Sequence, residues 1–174
     1  MFLSRKDVIL VATDFSEAAQ LALDAAAELA GLVGASMEIL HVGVESPIVI
    51  TPPDSVIPVP VDLSATIAAD TALLQSAVAS VRERGVSCTC STTTGRPEAE
   101  IVERASTIGA ELIVLGTHEH SGISRLLVGS VAELVLRHAP CPVLVVPAVS
   151  QVATKPLSDP LTELGSLEAQ LLPA

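Results

Sequence analysis

Residues 111–147 read ELIVLGTHEHSGISRLLVGSVAELVLRHAPCPVLVVP, and the order of their patterns decides the fold. Glu111 to Thr117 is a short, nearly continuous aliphatic run, as expected of a strand covered on both faces. A loop bearing glycine and histidine follows, and then Val131, Leu134, Val135 and His138 recur at helical spacing. Pro142 to Pro147, PVLVVP, is a second apolar strand. Two such strands joined through a helix form a βαβ unit, which runs them parallel.

Moving toward the N-terminus, the alternation repeats. Asp7 to Thr13 is a branched strand-like run, and Ser16 can cap a helix whose apolar stripe is Ala18, Leu21, Ala22, Ala25, Leu29 and Leu32, closed by Gly31 and Gly34. Ser36 to Val42 reads as the second strand. Glu45 to Asp62 holds Pro47, Pro52, Pro53, Pro58 and Pro60; proline lacks the ladder donor, so an extended loop is predicted there. A second helix is marked by Ile67, Leu74, Val78 and Val81, ending near Gly85, and Val86 to Thr94 is a β-branched third strand. Pro97 opens a third helix with the stripe Ile101, Val102, Ala105 and Ile108, ended by Gly109. The pattern predicts an α/β, doubly wound, mostly parallel five-stranded sheet with helices on both faces. One domain is expected over residues 1–149. Residues 150–174 form a polar tail with leucines at 157, 161, 164, 167, 171 and 172, either flexible or a short amphipathic helix.

Composition excludes several function classes. The chain has 174 residues, a net charge of −11, no Trp or Tyr, and only Phe2 and Phe15 as aromatics. Phosphate backbones and anionic membrane surfaces are attracted by cationic faces, and single-stranded bases stack on aromatic ones, so neither nucleic acid nor membrane is an expected partner. The longest apolar runs are strand-length, far short of a spanning helix, and the N-terminus lacks a cleavable leader pattern; a cytoplasmic protein is expected. Cys88, Cys90 and Cys141 are too few and wrongly spaced for a zinc site and are expected to pack as reduced, small apolar residues. His118 and His120 alternate but lack an evident third ligand, so no metal site is expected.

In doubly wound sheets ligands bind beyond the carboxyl ends of the strands, where strand order reverses. The first and fourth strands end there in TDFS (Thr13 to Ser16) and GTHEHSG (Gly116 to Gly122), and VGSV (Val128 to Val131) leads into a helix whose exposed N–H groups suit an anion. Together with VILVATDFSEAAQLAL, ILHV and GRPEAEIVERASTIGAELIVLGTH, these segments closely resemble the universal stress protein family over about residues 6–147.

That resemblance implies a 3-2-1-4-5 strand order and a nucleotide site. The ATP-binding branch carries Gly, two residues, Gly, nine residues, Gly, then Ser or Thr. Gly116 matches the first position, and Gly129 with Ser130 the last two. Glu119 replaces the middle glycine, and Gly122 cannot substitute because only six residues separate it from Gly129. By resemblance, Asp14 holds the ribose, the Val42 backbone meets adenine, Gly116 approaches the ribose, and the N–H groups of Gly129, Ser130 and Val131 hold phosphate. Ala12 stands where many members have proline; Thr13, Thr117 and His118 complete the candidate set, and Arg125 either contacts phosphate or lies along the surface. Glu119 sets a carboxylate near the phosphates unless it turns to solvent or Mg²⁺ bridges them. The expected function is therefore an ATP-binding regulatory protein of the stress response, with no catalytic residue assigned. The alternatives are a homodimeric interaction module without nucleotide and a slow ATPase. The last apolar strand, Val143 to Val146, is the expected homodimer edge.

Overall fold

The computed structural model describes residues 7–43, 64–118 and 129–148. Five strands and four helices alternate: β1 (Val8–Thr13), α1 (Glu17–Val33), β2 (Ser36–Gly43), α2 (Ser64–Glu83), β3 (Cys88–Thr94), α3 (Pro97–Ile108), β4 (Leu112–His118), α4 (Ser130–His138) and β5 (Val143–Ala148). The strand order is β3-β2-β1-β4-β5, and every pairing is parallel rather than mostly so. The proline-rich stretch and the tail lie outside the described residues.

Strand alternation sorts the core into two layers. Ile9, Val11, Met37, Ile39, Leu112 and Val114 face α1 and α2, packing on Ala22, Ala26, Leu74, Val78 and Val81. Leu10, Leu40, Ile113 and Leu115 face the other way, onto Ile101 and Ala105 of α3 and Ala132 and Val135 of α4. Helices therefore cover both faces. In the second layer Glu38 is buried, yet its carboxylate accepts from Ser91 Oγ and Arg104 Nε, each at 2.6 Å.

The helix ends form where their residues dictate. Ser16 Oγ accepts from Ala19 N at 3.2 Å, and Gly34 and Gly109 end α1 and α3 at φ 74° and 63°, a conformation glycine adopts freely. Gly31, expected to help close α1, lies within it.

The buried face of α1 differs from the expected one. Ala18, Ala19, Ala22, Leu23, Ala26, Ala27 and Ala30 are buried, whereas Leu21 is 40 % and Leu32 79 % exposed. At the first turn the reason lies in β4: a Cβ on Gly116 would meet the Ala18 carbonyl oxygen at 2.3 Å, so helix and sheet approach closely at Ala18 and Ala19, while Leu23 packs one turn on. Ile67 is likewise 61 % exposed near the start of α2, and His138 is exposed at the end of α4 rather than part of its buried stripe. Cys88 is buried as expected, but Cys90 is exposed: both side chains face α2, which covers only the first.

Candidate functional site

Every strand ends at the same edge of the sheet, and the sheet opens there between β1 and β4. Pairing of β1 with β2 continues to Thr13–His41, but pairing of β1 with β4 stops at Val11–Val114. The parting strands leave a cleft of about 220 Å³ at the point where strand order reverses. Its walls are Ala12, Thr13, Asp14, Ala19, Leu40, Val42, Pro97, Ile101, Leu115, Gly116, Val131 and Ala132. Six of the residues singled out from sequence thus meet in one place: Ala12, Thr13, Asp14, Val42, Gly116 and Val131.

The turn after β1 is held by its own side chains. Thr13 Oγ1 accepts from Phe15 N, and Asp14 Oδ1 accepts from Ser16 N, both at 3.0 Å. Phe15 adopts φ 63°, a left-handed conformation that costs a residue other than glycine about 1–2 kcal/mol. This turn exposes Asp14 at the rim of the cleft.

Across the cleft, α4 begins at Ser130, with Gly129 as its cap. Gly129 N donates to Thr117 Oγ1 at 3.2 Å, so one of the backbone donors expected to face phosphate is engaged within the chain. The two signature glycines differ physically. Gly116 has backbone against it, whereas a Cβ on Gly129, at φ −50°, would lie 3.6 Å from Thr117 Oγ1, an ordinary contact. Nothing among the described residues requires glycine at 129. His118 ends β4, while Glu119, Gly122 and Arg125 lie outside the described residues.

The sequence reading missed Leu40, Leu115, Ile101, Pro97, Ala19 and Ala132. Leu40 and Leu115 share a sheet face with Val42 and Ala12, and Pro97 and Ile101 lie in the first turns of α3. Parallel topology brings helix starts to the strands' carboxyl ends, so the expected fold alone could have placed them there. The lining is thus mainly aliphatic, with Thr13 and Asp14 at one edge and the α4 N-terminus at another. Among the described residues, no group of three or more His, Cys, Asp or Glu side chains is placed to hold a metal ion. No described helix is long and apolar enough to cross a membrane.

Comparison with known proteins agrees with this architecture. The model of the Universal stress protein family matches residues 6–147. The universal stress protein YxiE of Bacillus subtilis is 34 % identical over 143 residues, spanning 79 % of this chain and 97 % of that relative. A crystal structure of a universal stress protein family member from Burkholderia pseudomallei is 37 % identical, with a TM-score of 0.63 over 83 % of this chain and 98 % of that one. A universal stress protein from Archaeoglobus fulgidus, solved in complex with dAMP, is 25 % identical, with a TM-score of 0.56 over 81 % of this chain and 97 % of that one. By its strand order, by the extent of the family match and by its curated relative, this chain belongs to the universal stress protein family.

Proposed function

We propose that this chain binds an adenine nucleotide, ATP being the expected ligand, in the cleft between β1 and β4, and acts as a nucleotide-responsive regulatory protein of the stress response rather than as an enzyme. The observation that carries this reading is the convergence of Thr13, Asp14, Val42 and Gly116 with the start of α4 at one switch point. The aliphatic walls suit a base, the Asp14 carboxylate suits ribose hydroxyls, and the N–H groups of Ser130 and Val131 suit phosphate, favoured by the helix dipole. The dAMP complex of the Archaeoglobus fulgidus protein supports the same ligand class.

A homodimer is part of the proposal. β5 stands at the sheet edge with Leu144 exposed, and an apolar edge strand invites a second copy along Val143 to Val146.

Calorimetric titration with ATP, with and without Mg²⁺, tests the binding. Asp14→Ala is expected to weaken affinity about tenfold or more, the scale of a hydrogen bond to a charged group. One observation favours the alternative interaction module: the Gly129 N–H is already engaged by Thr117. A protein that purifies without nucleotide and binds none at millimolar ATP would establish that alternative instead.

A further inference from the structure

We infer that His41 is a positioning residue for Asp14, holding the β1 turn from the opposite face of the sheet. The inference rests on the nucleotide reading for its functional consequence but stands on separate geometry. His41 follows Met37 and Ile39 on the β2 face turned toward α1 and α2, so it points away from the wall formed by Leu40 and Val42. Its ring nevertheless grips the turn on both sides of Asp14. Nδ1 lies 2.9 Å from the Thr13 carbonyl oxygen. A carbonyl can only accept, so Nδ1 carries the proton and donates it. The imidazole also lies against the Phe15 ring, with centroids 4.5 Å apart.

These contacts bracket the residue proposed to hold the ribose. The Thr13 carbonyl belongs to the peptide that leads directly into Asp14, and Phe15 follows it in a left-handed conformation. A strained residue keeps its conformation only where its surroundings fix it, and the His41 ring is one such constraint. Behind the ring, Asp70 Oδ2 in α2 lies 3.5 Å from Nε2, an attraction that requires Nε2 to carry a proton as well as Nδ1, and the His41 side chain is only 13 % exposed. The chain of contacts therefore runs from α2 through His41 to the Asp14 turn, joining the cleft to a helix none of whose described residues line it.

Two substitutions separate positioning from bulk packing. His41→Phe keeps an aromatic ring against Phe15 but removes the donor to Thr13. His41→Asn removes the ring but offers an amide N–H at the position of Nδ1. Both proteins, and the wild type, are to be melted, titrated with ATP, and followed by amide hydrogen exchange at Phe15 and Ser16. His41→Phe is expected to melt close to wild type, yet to bind ATP about tenfold more weakly, the scale of one lost hydrogen bond. Its Phe15 and Ser16 amides are expected to exchange about tenfold faster. His41→Asn is expected to melt lower but to retain affinity and protection at the turn. Affinity that follows melting temperature across the three proteins, or that is unchanged in both variants, overturns the inference. If wild type binds no nucleotide, the nucleotide reading fails on its own, and exchange decides this one. Protection lost in His41→Phe and kept in His41→Asn supports it, and unchanged protection overturns it.

Discussion

Gly116→Ala is the sharpest test of how this fold is built. The added methyl carbon would lie 2.3 Å from the Ala18 oxygen, 2.4 Å from the Ala18 carbon and 2.6 Å from Ala19 N. All three obstacles are backbone, so no side chain can rotate away. Restoring an ordinary contact of 3.4 Å requires α1 to retreat by about 1 Å. That retreat loosens the seam where Ala18, Ala19, Ala22, Ala26, Ala27 and Ala30 pack, since a gap of this size forfeits a quarter to a half of each dispersion contact. Overpacking of a rigid site costs about 3 kcal/mol, at the upper end of its usual range. For a domain of this size that lowers Tm by about 6–12 °C. Gly129→Ala is the internal control: among the described residues its methyl meets only Thr117 Oγ1, at 3.6 Å, and its φ of −50° suits alanine. Differential scanning calorimetry without nucleotide reads both effects. A Gly116→Ala Tm within 2 °C of wild type, or a Gly129→Ala loss of equal size, would refute the close-approach argument.

Glu119→Gly is expected to tighten ATP binding by roughly 5- to 150-fold, about 1–3 kcal/mol, because it restores the family glycine and removes a negative charge from the signature proposed to hold phosphate; titration of both proteins checks it. Multi-angle light scattering at micromolar concentration is expected to return a dimer, and a clean monomer would remove the β5 pairing. Truncation after Val149 is expected to lower Tm by several degrees if the tail leucines dock on apolar surface; an unchanged melting curve favours a free tail. Burial pushes the Cys88 thiol from 9.0 up to about 11, so the folded chain holds its proton more tightly than the unfolded one. That contribution is fully present below pH 9.0 and is lost as pH rises toward about 11, so Cys88→Ala is expected to flatten the alkaline arm of the stability curve in that window. Exposed Cys90 is expected to react with a thiol reagent well before buried Cys88, as mass spectrometry of partly labelled protein would show.

Much of the architecture was legible in local pattern. The aliphatic runs of β1 and β4 announced strands covered on both faces, and Ser16, Pro97 and Gly109 marked helix ends by their own backbone chemistry. Strands alternating with helices fixed a layered α/β sheet, and the TDFS and VGSV segments pointed to the end of the sheet where a cleft opens. These signals are local: each depends on a residue and its near neighbours. Tertiary structure decided which of two competing faces was buried. In α1 two stripes satisfied helical periodicity, and the buried one carries Ala18, Ala19, Ala22 and Leu23; at its first turn Gly116, about a hundred residues away, lets the backbones approach at Ala18 and Ala19. Cys88 and Cys90 were equivalent in sequence until α2 covered one of them, and His41 looked like a strand residue until Thr13, Phe15 and Asp70 closed around it. Periodicity states which residues share a face; only the distance of approach between elements states how large a side chain that face can hold.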